Sequence, residues 1–190
     1  MRTAEFLERV AALEEARSVD RKIAPFYPSS VEVIEHMLDL ASLEESDVLL
    51  DVGSGDGRVL VQACYRLVHR AIGVEIEPSL VRASREVLYA DPRCVGRAEV
   101  REGDFAGADL SEATVIIVYM GPAGTWDAQK YLTTLSPSVR IICHDYPFID
   151  WPPAEEVGGV HVCPTADGST VFHEAPYRLY RYSTADITSS

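Results

Sequence analysis

Along this chain, short apolar runs alternate with segments whose apolar residues recur every three or four positions. Residues 3–17 place Phe6, Leu7, Val10 and Leu13 at helical spacing with acidic residues between them, which predicts an amphipathic helix. Pro25-Phe26-Tyr27-Pro28 breaks that pattern. Ser29 then stands three residues before Glu32, a capping-box spacing that predicts a helix from there to Leu40. Val48–Val52 reads as an apolar strand, Arg58–Leu67 as a helix, Ala71–Ile76 as a strand and Ser79–Tyr89 as a helix. Ala98–Arg101 is a short third strand, and Val115–Met120 is a fourth whose continuous apolar character suits burial on both faces. A helix over Thr125–Leu135 and a fifth strand over Val139–His144 complete the series.

Strand, helix and strand in repetition predict an α/β fold, a parallel sheet with helices on both faces. The end of the chain departs from it. Gly159–Cys163 and Thr170–Tyr182 flank Asp167-Gly168, a turn dipeptide that predicts a closing antiparallel hairpin. Its length of 190 residues suits one domain, large enough to bury roughly 70% of its unfolded surface. Residues 1–24 are expected as a helical extension, 25–183 as the domain, and 184–190 as a flexible tail.

Charge narrows the partners. The formal net charge is −13, with two lysines (Lys22 and Lys130) against fifteen arginines. Nucleic-acid affinity rests on clustered Lys and Arg, so a nucleic-acid partner is not expected. An acidic surface instead attracts basic substrates such as basic proteins, or simply keeps the chain soluble. No apolar run approaches the length of a membrane span. The first residues carry Arg2, Glu5, Glu8 and Arg9 rather than a basic cluster and an apolar block, so a cytoplasmic location is expected. Cys64, Cys94, Cys143 and Cys163 are scattered without CxxC or zinc-like spacing, and no metal site is expected.

The candidate chemistry lies at Leu50-Asp51-Val52-Gly53-Ser54-Gly55-Asp56-Gly57-Arg58. A strand runs into three glycines at alternate positions and then a helix, which lets a ligand approach the backbone and meet unpaired helix N–H groups. A dinucleotide or another adenosine-bearing ligand fits that description. The dinucleotide fingerprint, however, needs glycine where Arg58 stands, and the lysine of a phosphate-cradling Walker loop is missing. Glu75 closes the second strand some twenty residues on, where a carboxylate can accept both ribose hydroxyls. Glu77 is the nearby alternative. Asp104 follows the third strand and can accept from an adenine amino group, with Phe105 packing on the ring; the other reading is a turn aspartate beside a core phenylalanine.

Asp51-Val-Gly-Ser-Gly-Asp-Gly57, Gly73-Val-Glu75 and Gly103-Asp104-Phe105 resemble the cofactor motifs of class I S-adenosylmethionine-dependent methyltransferases. The likeness runs from Pro25 to the final hairpin. It implies a Rossmann-like, mostly parallel seven-stranded sheet flanked by helices. It also implies that the Gly53–Gly57 loop, with Ser54 and Gly55, meets the methionine part of S-adenosylmethionine, while Glu75 holds the ribose and Asp104 reads the adenine.

A narrower likeness rests on Pro25-Phe26-Tyr27-Pro28-Ser29, Tyr119-Met-Gly-Pro122 and His144-Asp145-Tyr146-Pro147 with Trp151. These resemble a small protein-lysine methyltransferase group that includes archaeal and mitochondrial members. The group implies that the segment carrying Phe26 and Ser29 folds over the cofactor and that the chain after strand four borders the acceptor. Phe26 stands where tyrosine is common, Ser29 where threonine is common, and Gly121 is atypical.

Tyr119, at a strand tip, is expected either to wall the acceptor channel and touch the cofactor or to pack on the next helix. His144 and Asp145 are the candidates for acid–base work, or else shape the cleft. Trp151 is expected at a cleft edge. Three functions remain open: protein-lysine methylation, methylation of a small molecule or RNA, and cofactor binding without turnover. Neither the oligomeric state nor the number of methyl groups is legible.

Overall fold

A computed structural model describes residues 27–135, 138–164 and 172–185. The expected helix over 3–17, Phe26, the Asp167-Gly168 turn and residues 186–190 lie outside the described residues. Tyr27–Ser30 form a non-helical strap that leads into helix α1 (Val31–Leu40). Ser30, not Ser29, caps this helix: its hydroxyl accepts from the Val33 N–H at 3.3 Å. The capping-box spacing misplaces the start by one residue because the Ser29 hydroxyl is taken by His144, 115 positions away.

Strand β1 (Val48–Val52), helix α2 (Arg58–Tyr65), strand β2 (Arg70–Glu75), helix α3 (Pro78–Ala90) and strand β3 (Ala98–Glu102) follow the expected alternation. Strand β4 (Val115–Val118) stops two residues short of the expectation, and helix α4 (Gly121–Leu132) starts four residues early. Gly121 at φ 68° turns the chain sharply, and Pro122 opens the helix without wasting a donor. Tyr119 and Met120 are thereby left at the tip of the strand, facing the cavity described below.

Strand β5 (Arg140–His144) and the antiparallel pair β6 (Glu155–Pro164) and β7 (Phe172–Ser183) complete one seven-stranded sheet, in the order β3-β2-β1-β4-β5-β7-β6. Strands β1 to β5 pair in parallel, while β5–β7 and β7–β6 are antiparallel. Both the parallel sheet and the hairpin are thus as expected.

Alternation along each strand sorts side chains onto two cores. Leu49, Val115, Ile117 and Ile142 pack under α1, α2 and α3. Leu50, Val52, Ile116, Val118, Ile141 and Cys143 face α4. Trp151 belongs to this second core, not to a cleft edge: it stacks on Phe148 at 5.1 Å and lies 5.2 Å from Tyr182. The Tyr182 hydroxyl accepts from the Phe148 N–H at 3.0 Å, so its burial leaves that oxygen with a partner, whereas the buried Trp151 Nε1 has none among the described residues.

Thr184, which the sequence assigns to the tail, is buried, and its hydroxyl accepts from the N–H groups of Ser138 and Val139 at 3.0 Å. Cys64, Cys94 and Cys143 are free and buried. No described helix is long and apolar enough to cross a membrane.

Candidate active site

The order β2-β1-β4 places the reversal of strand order at β1, and a crevice at the carboxyl ends of the strands is the natural ligand site of such a sheet. A cavity of about 440 Å³ occupies that position. Four strands contribute from their carboxyl ends: Asp51 from β1, Glu75 from β2, Gly103 to Phe105 after β3, and Tyr119 and Met120 after β4. The strap adds Tyr27, Pro28 and Ser29 as a further wall.

Gly53, Gly55 and Gly57 all take positive φ, at 77°, 55° and 82°, a region L side chains avoid. They serve different ends. Gly53 and Gly55 line the cavity, whereas Gly57 does not. A Cβ on Gly57 would come 2.2 Å from Ser84 Oγ, so this glycine permits α2 to approach α3. Gly57→Ala is expected to destabilise the fold by about 2 kcal/mol, from left-handed strain and displacement of Ser84. Thermal unfolding should show a drop of roughly 4–8 °C.

Glu75 is the organising carboxylate. One oxygen accepts from the Gly55 N–H and the other from the Glu77 N–H, both at 2.8 Å. It therefore holds the glycine loop in shape while each oxygen keeps a second lone pair for a ligand. The backbone N–H of Glu77, the sequence alternative, is a donor to Glu75, and its own side chain caps α3.

Asp51 is buried at the centre of the sheet beside the same loop. Burial, then the nearby charges of Glu75 and Asp56, push its carboxyl up to about 8. It is therefore largely protonated at neutral pH and is poised to ionise when a cation comes against it.

Asp104 accepts from the Ala106 N–H at 3.0 Å and caps the short 3₁₀ turn Phe105–Gly107, so it is a turn aspartate that also lines the cavity. Phe105 lines it too, held edge-on by Tyr131 at 5.7 Å. Ser54 Oγ is buried and finds no partner among the described residues.

The far wall is aromatic. Tyr119 rests on the His144 ring with centroids 4.0 Å apart, and Tyr146 lies 6.5 Å beyond. His144 is buried, and that burial, opposed by the charge of Asp145, pushes its imidazole down to about 4, so it is neutral near pH 7. Asp145 takes φ 60° and accepts from the Arg178 N–H at 3.0 Å. Among the sequence candidates, Ser29, Asp51, Gly53, Ser54, Gly55, Glu75, Asp104, Phe105 and Tyr119 share the cavity. His144 and Asp145 stand behind its wall.

Arg58 is legible in the sequence only as the residue replacing a glycine. Its guanidinium donates to the Ser29 carbonyl at 2.9 Å while Asp56 neutralises it at 2.7 Å, joining strap to glycine loop. His36 and His161 carry no sequence signal at all. Both meet Tyr177, His36 through a hydrogen bond and His161 edge-on, and His161 Nδ1 lies 2.9 Å from Ser30 Oγ.

The family model of the ANTKMT methyltransferase domain matches residues 51–155, from the tip of β1 to the start of β6. The chain belongs to this family. A protein-lysine N-methyltransferase of Saccharolobus islandicus (strain REY15A) is 30% identical over 135 residues, covering 70% of this chain and 83% of that protein. A human lysine N-methyltransferase of an ATP synthase subunit is 28% identical over 158 residues, 79% of this chain but 64% of the human protein. Among solved structures, an RNA methyltransferase from Salinibacter ruber in complex with S-adenosyl-L-homocysteine superposes with a TM-score of 0.69 at 32% identity. That match covers 83% of this chain and 94% of the other.

This chain is an S-adenosylmethionine-dependent methyltransferase. The cavity suits that cofactor on physical grounds. Its volume is in the range of small-molecule sites. Two of its glycines leave the loop open to close approach, Ser54 Oγ lacks a partner among the described residues, and a buried protonated Asp51 awaits a cation.

Proposed function

We propose that this methyltransferase transfers methyl groups to the side-chain amine of lysine in a protein. The observation that carries the reading is the 30% identity to an archaeal protein-lysine N-methyltransferase, spread over 83% of that protein. The electrostatics of the cavity support it. Asp56, Glu75, Glu77 and Asp104, with the ionisable Asp51, line it, and the one arginine among the described lining residues, Arg58, is already neutralised by Asp56. Such a site draws in a cationic side chain and repels a phosphate backbone. The likeness to an RNA methyltransferase favours a second reading, RNA methylation, but the net charge of −13 opposes it.

In this reading Glu75 accepts from the ribose hydroxyls with its remaining lone pairs. Gly53, Ser54 and Gly55 meet the methionine part, and Asp51 faces its positive charge. Asp104 and Phe105 would hold the adenine, and Ser29 would cover the cofactor from the strap. Bound there, S-adenosylmethionine supplies a methyl group already activated by its sulfonium. The protein's remaining tasks are to align the acceptor and exclude water, and alignment alone can contribute roughly 7–11 kcal/mol. Tyr119 walls the acceptor side, its ring set by His144. A lysine acceptor must lose its ammonium proton before it attacks, and desolvation against the Tyr119 wall would favour that loss to solvent. His144 and Asp145 shape this wall from behind.

The test incubates the protein and its Glu75→Ala variant with tritiated-methyl S-adenosylmethionine and cell lysate. Label is then followed through protease and RNase digestion and amino-acid analysis. Methyl-lysine released by proteolysis, and absent with the variant, is the expected result. Label removed by RNase, or confined to small molecules, would overturn the lysine reading and leave the methyltransferase in place.

A further inference from the structure

Among the described strap residues, Ser29 bonds both to the cofactor-loop side and to the acceptor side of the site. Its carbonyl accepts from Arg58 at 2.9 Å, and Arg58 is fixed by Asp56 in the glycine loop. Its hydroxyl lies 3.1 Å from His144 Nδ1 in a buried hydrogen bond. The same imidazole carries the Tyr119 ring on its face, 4.0 Å between centroids and tilted by 32°. One residue therefore links the cofactor loop, through a single imidazole, to the acceptor wall.

His144 is not built as a proton acceptor. It does not line the cavity, and Tyr119 stands between. Its Nε2 is buried with no hydrogen-bond partner among the described residues, the nearest carboxylate oxygen being Asp145 Oδ2 at 3.6 Å. Asp145 is itself held by the Arg178 N–H. A buried imidazole with one nitrogen bonded to the strap and one face under a tyrosine is placed to transmit position.

We propose that the Ser29–His144 hydrogen bond is a latch through which closure of the strap over the cofactor cavity sets the Tyr119 ring, making Ser29 and His144 positioning residues for methyl transfer. The inference rests on the cofactor reading of the cavity and is independent of the acceptor's identity. It also gives the latch a pH dependence. With the strap closed, burial holds His144 near 4, against an ordinary value of 6.5. The closed state thus binds fewer protons than an open one between those values, and acid favours opening. The groups around the imidazole are Asp145 beside it, His161 on β6, Tyr177 on β7, Tyr119 above it and Arg58 behind Ser29. His36 and Glu32 on α1 lie one step further, against Tyr177.

The experiment is calorimetric titration with S-adenosylhomocysteine from pH 5 to 8. It compares wild type, Ser29→Ala, His144→Phe, the double variant and His144→Asn. Wild-type binding at pH 7.5 tests the cofactor reading; the variants test the latch. Ser29→Ala and His144→Phe should each weaken binding at pH 7.5 about tenfold, as loss of one buried hydrogen bond implies. The double variant should be no weaker than either. His144→Asn keeps a polar atom near the position of Nδ1 but cannot titrate. It should bind within about threefold of wild type at pH 7.5 and weaken less steeply than wild type below pH 6.5, keeping only the pH dependence that Asp51 imposes on both. Additive losses in the double variant, the same pH profile in wild type and His144→Asn, or native affinity in His144→Phe would each overturn the latch. A fall in kcat of three decades in His144→Asn with native cofactor affinity would make His144 the proton acceptor instead.

Discussion

Glu75→Ala is expected to weaken S-adenosylhomocysteine binding about 1,000-fold, measured by calorimetry at pH 7.5. The variant removes two things at once. The carboxylate would accept from two ribose hydroxyls, and hydrogen bonds to a charged group contribute about 1.5–3 kcal/mol each. It also shapes the loop, since Gly55 and Glu77 both donate to it at 2.8 Å. Without it, two amides lose their partner beside a left-handed glycine, and the loop must be ordered at the expense of binding. The sum of about 4 kcal/mol corresponds to the stated factor. Glu75→Gln is expected to fall between, because one amide must then face the –NH₂ end of the glutamine. Native affinity in Glu75→Ala would remove Glu75 from the cofactor site.

Asp51→Asn is expected to stabilise the cofactor-free protein above neutral pH while weakening cofactor binding at least tenfold. The Asp51 carboxyl is buried and raised from 3.8 to about 8. The folded protein therefore binds more protons than the unfolded chain between those values. Folding stability attributable to this group is fully retained below pH 3.8 and declines as pH rises toward 8. Asparagine removes the ionisation and hence the decline. Denaturation midpoints of wild type and variant should coincide near pH 4 and diverge as pH rises, by roughly 10–20 °C at pH 8.5. The affinity loss follows because asparagine cannot present a negative charge to a positive ligand group. In wild type, binding at pH 7 should release a proton, seen as a dependence of the apparent enthalpy on the buffer's ionisation enthalpy, and Asp51→Asn should abolish it. An unchanged midpoint at pH 8.5 would mean that Asp51 is charged and already satisfied in the empty site. Stability gained where function is lost is the usual signature of a group retained for its chemistry.

The fold was largely legible because its signals are local. Apolar runs such as Val48–Val52 and Val115–Val118 declare buried parallel strands within five residues. Errors fell where local chemistry was ambiguous. Ser29 and Ser30 are equally good caps by composition, and only the partner of Ser29 decides between them. Helix α4 began early because Gly121 turns left-handed, which no spacing rule shows. Trp151 beside two prolines reads as a cleft-edge residue until Phe148 and Tyr182 enclose it.

The same division runs through the site. Sequence alone determined the α/β architecture, the glycine loop and the acidic strand tips, since each is written in contiguous residues whose backbone needs are specific: positive φ at Gly53 and Gly55, a carboxylate at the end of β2. Tertiary structure alone decided the rest. It separated Gly57, which packs against Ser84, from the two glycines that face the cavity. Placing β1 at the centre of the sheet buried Asp51 among like charges and so set its protonation. It also brought Ser29 to His144 and His36 to Tyr177, across 115 and 141 positions of chain. Contacts at such separations depend on the packing of a whole sheet, and a short stretch of sequence carries no periodicity that encodes them.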